Sequence, residues 1–407
     1  MMSQQSGNVA DSHVGGVRSA LYRILLIVIA LIVYGSLYPW DFHSTQLAAS
    51  PLWVLVHSWP TVIDRFLIRD IAVNLLLYVP VGAFSFLALR QNVRTASAVT
   101  GTLLIALALS SSIEMIQLFD NARECSASDV VCNVSGTALG VALGSLYRHW
   151  LKNFLARAET AKFLYPSGAV LLFYTWFAYQ MFPLFPALSR TKLAEKFHDL
   201  FAAVSVSPLE TFTFFVEWLI VAQLLENVLG TDRTRRLFPL LLLVLPAKLL
   251  IVGRTVTWSE LAGALLAYIC SYFFSGYQQH AALVAALIVS LLILRGLAPY
   301  HWSSTANPFS WIPFRGLLAA DREFGMLTFL RKCFWYGSAI WLLRAARWRL
   351  GRAAVVVALL LGAIEVIQIH LPGRVAEITD PLLALILAVT LGLSERSQYL
   401  RNNSLAR

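Results

Sequence analysis

The chain has 407 residues, of which 58% are hydrophobic and only 13% are charged, and its net charge is +10. Soluble domains carry about twice that charged fraction, and apolar runs of about 20 residues recur here, as membrane helices require. The composition excludes a soluble globular protein and predicts an all-α polytopic membrane protein. The positive charge does not indicate a nucleic-acid-binding protein, because it is scattered between the apolar runs.

Twelve apolar segments, taken in chain order, predict twelve transmembrane helices. They lie near 20–37, 70–89, 97–117, 129–147, 166–183, 211–229, 237–252, 258–275, 281–298, 324–343, 353–370 and 381–394. The first follows a polar lead and continues into Leu-Tyr-Pro-Trp-Asp-Phe, which favours a retained span over a cleaved signal peptide. In residues 190–205, helical spacing places apolar residues on one face and charged residues on the other, which favours a helix lying on the outer leaflet. A plain loop is the alternative.

Lysine and arginine residues are concentrated in the N-terminus, the even-numbered loops and the C-terminus. Positively charged loops stay on the cytoplasmic side of a membrane. We therefore expect both termini to be cytoplasmic and the loops at 118–128 and 371–380 to face outward.

One polar pattern, E-x-x-Q-x5-R-x5-D, occurs twice at the outer ends of predicted spans. The two copies consist of Glu114, Gln117, Arg123 and Asp129, and of Glu365, Gln368, Arg374 and Asp380. Upstream of each copy, S-L-Y-P-W-D-F at 36–42 is similar to G-L-A-P-Y-H-W at 296–302. Self-similarity of this kind indicates internal duplication.

A weaker third copy lies between these two. It keeps Arg254 and Glu260, whereas Leu245 and Lys248 stand at the Glu and Gln positions. We therefore predict three four-helix pseudo-repeats. Their boundaries are 1–160, 161–278 and 279–407.

The acids of the pattern have a structural interpretation. Asp129 follows Ser126, and Glu260 follows Thr257, in spacings that open helices. Asp380 stands before a proline, which suits an N-cap. The arginine six residues before each acid could also close the loop by pairing with it.

Glu114 and Gln117 are three residues apart and share one face of a predicted span. A charged residue in a span costs about 2.5–3.5 kcal/mol at mid-bilayer, so it usually faces the bundle interior with a partner. Two interpretations stay open. Arg123 folds back to form a buried Glu–Arg clasp, or the set forms a pocket for a polar head group.

The second span adds an acid and an amide on one helix face. With them, the first copy predicts one outward-facing cavity lined by Asp70, Asn74, Glu114, Gln117, Arg123, Asp129 and Asn133. Arginine recognises phosphate or carboxylate as a two-pronged donor, and paired carboxylates can exchange protons. The second-copy residues are lesser candidates. No metal or cofactor is expected, because the sequence lacks CxxC pairs and the Walker and Rossmann glycine patterns.

The order D-x3-N-x3-Y-x-P-x-G at 70–82, then E-x-x-Q, Arg, Asp and Asn, resembles the VanZ family of bacterial membrane proteins. The resemblance covers residues 20–147. A second, partial copy at 281–394 includes N-P-F-S-W-I-P-F at 307–314, but has Ala384 in place of the first-copy asparagine. The resemblance implies the bacterial inner membrane and a cell-envelope role. The family takes its name from resistance to teicoplanin, a glycopeptide that binds cell-wall precursors.

Three functions are compatible with these residues. The first is an envelope protein without enzymatic activity that binds an amphipathic molecule, such as a lipid-linked glycan precursor or a glycopeptide, at the outer leaflet. The second is an envelope enzyme in which Asp70 or Glu114 is the general base for a lipid-linked substrate. The third is a transporter or a scaffold for polysaccharide assembly. The lipid bilayer is a partner in all three.

Overall fold

The structure is a computed structural model that describes residues 21–43, 49–60, 65–120, 123–146, 167–183, 190–202, 204–274 and 280–405. Within these ranges every regular element is an α-helix, and β-type pairing is limited to isolated bridges such as that of Phe42 with Asp120. The all-helical prediction is confirmed.

The chain divides into two compact units. The first comprises Met1–Leu164, Asp321–Glu323 and Leu393–Arg407. The second comprises Tyr165–Ala320 and Phe324–Gly392.

The N-terminal part of the chain contains helices α1 to α5. They are Leu21–Ser36, Pro51–His57, Arg65–Leu89, Thr95–Gln117 and Ala127–Leu146. α3 and α5 pack in backbone contact, since a Cβ on Gly136 would lie 2.1 Å from the Leu75 carbonyl oxygen and one on Gly140 would lie 2.2 Å from that of Val79. Only glycine allows such an approach. These two contacts advance together along both helices, so α3 and α5 run in the same direction.

Helices α6 to α16 follow in chain order. They are Gly168–Met181, Arg190–Ala202, Pro208–Leu229, Thr231–Leu241, Val244–Leu249, Trp258–Phe274, His280–Leu297, Arg315–Ala319, Arg322–Ala345, Leu350–Gln368 and Thr379–Leu405. The helix predicted on the outer leaflet at 190–205 is thus present as α7, and its residues Phe197 and Phe201 are exposed.

Six helices in the described ranges are long and apolar enough to cross a membrane. They are Asp70–Leu89, Thr95–Gln117, Ala127–Leu146, Pro208–Leu229, His280–Leu297 and Leu350–Gln368. Twelve crossings and three repeats stay predictions. The structure differs most at the span predicted near 237–252, where α9 and α10 are two short helices separated at residues 242 and 243. The reason is Pro246, which has no N–H to donate to the Leu242 carbonyl.

Candidate functional site

Arg123 binds two main-chain carbonyls at the C-terminal end of helix α1. Its Nε donates to the carbonyl oxygen of Tyr38 at 2.7 Å, and its Nη2 donates to that of Gly35 at 3.3 Å. In a continuous helix the Gly35 carbonyl would accept from the N–H four residues on, but that residue is Pro39, which has none. The arginine supplies the donor that the proline removes.

Gln117 and Glu114 also bind main-chain groups. Gln117 Nε2 donates to the Ser36 carbonyl at 2.6 Å, and Glu114 Oε2 accepts from the N–H of Ser126 at 2.8 Å. Both side chains are buried. They tie the end of α4 to the end of α1 and to the start of α5.

Buried amides lie further along the same helices. Asn133 Nδ2 donates to Ser110 Oγ at 2.9 Å, which links α5 to α4. In the described part of the chain, Asn133 Oδ1 and Asn74 Nδ2 are buried without a hydrogen-bond partner. Leaving a buried polar atom unpaired costs about 1–3 kcal/mol. The Asn133–Ser110 bond explains one half of the Asn133 amide, whereas no protein contact among the described residues accounts for Asn133 Oδ1 or Asn74 Nδ2.

Carboxylates from three helices lie near the level of these amides. The register of α3 against α5 puts Asp70 and Asn74 at the level of Asn133. α4 runs in the opposite direction, and its contact with the N-terminal loop of α5 puts Glu114 at the level of Asp129, which lies in the first turn of α5.

The same carboxylates act on Cys125, in the loop before α5. Burial raises the pKa of the Cys125 thiol, a hydrogen bond with Ser58 lowers it, and the charges of Glu114 and Asp129 raise it further. Of the seven residues predicted to share one cavity, Gln117 and Arg123 direct their donors to the turn at 35–38 instead.

A comparison with protein families bears on this part of the chain. Residues 21–148 match the family model described as VanZ/LLP1. This N-terminal segment is VanZ-like. The match confirms the resemblance predicted over 20–147, whereas the second copy predicted at 281–394 stays a prediction. No curated protein and no solved structure matches the chain.

Two other arginines make the contacts that Arg123 makes in the VanZ-like segment. Each binds the carbonyl of the residue before a proline and the carbonyl three residues earlier. The bonds run from Arg254 to Phe182 (2.7 Å) and Tyr179 (2.5 Å), and from Arg374 to Ala298 (2.8 Å) and Arg295 (2.7 Å). Pro183 and Pro299 stand four residues after the second carbonyl, as Pro39 does.

The C-terminal copy of the pattern repeats the remaining contacts of the VanZ-like segment. Gln368 Nε2 donates to the Gly296 carbonyl at 2.8 Å, and Glu365 Oε2 accepts from the N–H of Glu377 at 2.8 Å. These side chains therefore hold loop ends together, as Gln117 does.

The acids of the later copies bind lysines. Asp380 Oδ1 lies 2.5 Å from Lys332 Nζ, and its other oxygen accepts from the Tyr336 hydroxyl. The prediction that Asp380 is an N-cap is wrong, because the helix already begins at the preceding residue and the lysine takes the carboxylate. Glu260 pairs with Lys248 at 2.5 Å, and both side chains are buried.

Several of these groups were not predicted from the sequence. Lys332 and Tyr336 were not recognised as partners of Asp380 because they lie on a different helix. Glu217 could have been predicted as a buried polar residue, since it is a carboxylate inside an apolar run. It is buried and accepts hydrogen bonds from Trp176 Nε1 at 2.8 Å and from Gln180. In the described ranges, no group of three or more His, Cys, Asp or Glu side chains is arranged to hold a metal ion.

Proposed function

We propose that the VanZ-like segment binds the polar head group of an amphipathic or lipid-linked envelope molecule at the outer leaflet of the bacterial inner membrane. A lipid-linked glycan precursor or a glycopeptide antibiotic fits this chemistry. The proposal includes cytoplasmic termini, which place the loop at 118–128 outside. It also includes descent from a duplicated unit, which the three arginine contacts support.

The observation that carries the proposal is the pair of buried amides. Asn74 Nδ2 and Asn133 Oδ1 are a donor and an acceptor on facing helices, and each is buried without a partner in the described ranges. A head group that carries both hydroxyl and carbonyl functions would satisfy them. Asp70 and Asp129, nearer the loops, would accept further hydroxyl or amide donors from the same ligand.

The residues of the predicted cavity therefore have two different roles in this proposal. Arg123 and Gln117 hold the turn at 35–38, and we assign them to shaping the site rather than to contacting the head group. In the alternative hypothesis of an envelope enzyme, Asp70 or Glu114 would be the base, and the second oxygen of Glu114 would be the reacting one because Oε2 accepts the Ser126 N–H.

The test separates binding from folding. Asn74→Leu removes an unpaired amide from an apolar bundle, so the thermal unfolding midpoint should stay the same or rise. Binding of a fluorescent lipid-linked disaccharide pentapeptide, or of teicoplanin, to protein in nanodiscs should weaken roughly tenfold or more.

Ser135→Ala is the matched control on α5, because the Ser135 hydroxyl donates to the Val131 carbonyl of its own helix at 2.7 Å and is exposed. Its binding and unfolding should equal those of the parent. If Asn74→Leu binds both probes as the parent does, the proposed site is wrong. Hydrolysis of the lipid-linked probe by the parent, lost in Asp70→Asn, would instead establish the enzyme.

A further inference from the structure

A cavity of about 460 Å³ lies in the second compact unit, against the amphipathic helix α7. Its walls come from α7, from the beginnings of α8 and α11, and from the segment 255–257. Small-molecule sites in proteins have volumes of about 300–1,000 Å³. The cavity is therefore large enough for a ligand, and it is separate from the residues assigned to the VanZ-like segment.

Hydrogen bonds fix α7 over this cavity. Lys196 Nζ donates to the main-chain carbonyls of Leu249 and Ile251 at 3.0 and 2.5 Å. Trp258 Nε1, at the start of α11, donates to the carbonyl of Leu200 on α7 at 2.7 Å. These bonds give the cavity a preformed wall, which avoids the entropic cost of ordering a loop when a ligand binds.

The charges around the cavity balance. Asp199 and Glu210 contribute two carboxylates to the lining, and Lys196 contributes one ammonium group. Arg295 offsets the second acid, because its Nη2 lies 2.6 Å from Glu210 Oε1. The ammonium group is also occupied by carbonyls. The cavity therefore offers no strong site for an anion such as phosphate, and little net attraction for a cation.

The rest of the lining suits hydroxyl groups. Ser205 and Thr255 contribute exposed hydroxyl groups to the lining, and the Phe214 and Trp258 rings supply apolar faces. Carboxylates accept strong hydrogen bonds from hydroxyl groups. Aromatic rings pack against the C–H faces of a ring-shaped ligand.

We propose that this cavity binds a neutral, hydroxyl-rich sugar unit. Asp199 and the free edge of Glu210 accept from the sugar hydroxyls, and Trp258 packs against the sugar ring. Because α7 exposes Phe197 and Phe201 toward the predicted outer leaflet, a sugar attached to a lipid would reach the cavity from the membrane surface. The inference does not depend on the site proposed for the VanZ-like segment.

The experiment uses the full chain in phosphatidylcholine nanodiscs. Maltotriose, triacetylchitotriose and a panel of other neutral oligosaccharides are titrated, and binding is followed by saturation-transfer NMR and tryptophan fluorescence. Inorganic phosphate and spermidine are the anionic and cationic comparisons. We expect at least one neutral oligosaccharide to bind, and neither phosphate nor spermidine to compete with it.

Asp199→Ala should weaken that binding roughly tenfold, and it should leave the unfolding midpoint unchanged since Asp199 is exposed. Glu195→Ala is the matched control, because Glu195 is an exposed acid on the same helix outside the cavity. Asn74→Leu should leave sugar binding unchanged, which keeps this test distinct from that of the proposed function. Binding of no sugar in the panel, equal binding by Asp199→Ala, or displacement by phosphate or spermidine would each overturn the inference.

Discussion

Replacing Arg123 with alanine should destabilise the VanZ-like segment, and the size of the loss follows from the two carbonyls that the arginine serves. The bond to Tyr38 is 2.7 Å long and the bond to Gly35 is 3.3 Å, so the first is well formed and the second is weaker. A hydrogen bond to a charged group contributes about 1.5–3 kcal/mol. Counting one full bond and part of another, we expect Arg123→Ala to cost about 2–4 kcal/mol.

Thermal unfolding of the full chain in nanodiscs, followed by tryptophan fluorescence, measures this loss. A change of 1 kcal/mol moves the midpoint of a domain of this size by about 2–4 °C, so the midpoint should fall by about 5–15 °C. Arg123→Lys should give an intermediate value, because one ammonium group cannot reproduce the two directed donors of a guanidinium.

Arg90→Ala is the matched control. Arg90 Nη1 also donates to a main-chain carbonyl, that of Val93 at 3.1 Å, but the bond is exposed and no proline has removed the competing donor. We expect a midpoint shift of no more than about 2 °C for this variant. Equal unfolding of Arg123→Ala and Arg90→Ala would refute the assignment of Arg123 to the end of α1 and would return it to the list of ligand contacts.

Three further predictions follow from other contacts. Gly136→Ala should destabilise the fold by about 1–3 kcal/mol through overpacking. Gly351→Ala is the control and should be neutral or slightly stabilising, because an added Cβ there meets nothing within 4 Å. Thermal unfolding compares the two variants. Lys248→Met should cost about 3–5 kcal/mol by leaving the buried Glu260 carboxylate unpaired, and adding Glu260→Gln should restore most of the loss in the same measurement. In a background without native cysteines, Glu124→Cys should react with a membrane-impermeant maleimide on intact cells. A cysteine in a predicted cytoplasmic loop should react only after lysis. The reverse pattern would show that the predicted topology is inverted.

The membrane helices were predictable because their signal is local. Apolar runs fixed the positions of α3, α4 and α5 within a few residues. The interruption of the segment near 237–252 was not predicted, because average hydropathy outweighed Pro246, which removes one helical N–H.

The partners of the polar residues were not predictable in the same way. Every residue has a main-chain carbonyl, so the residue types at positions 35 and 38 do not identify these carbonyls as acceptors for Arg123. The proline that follows them does give a signal. Pro39 leaves the Gly35 carbonyl without its helical donor, and the same spacing relates Pro299 to the carbonyl that Arg374 binds. A proline leaves the carbonyl four residues before it without its helical donor. Searching the sequence for such carbonyls would have predicted the partners of the arginines.

The division between shared and unshared residues bears on where a ligand would bind. The arginine recurs in all three copies of the pattern and makes the same main-chain contacts in each, so its role is one that any such unit needs. The two asparagines do not recur in the C-terminal copy, because Ala384 stands at the position of Asn133 and Leu327 or a neighbour at that of Asn74. A residue that stabilises the unit should be retained wherever the unit is, whereas a residue that serves a ligand is retained only where the ligand binds. On this argument we place the proposed head-group site in the VanZ-like segment, and we expect its specificity to depend on the two asparagines rather than on the charged residues of the pattern.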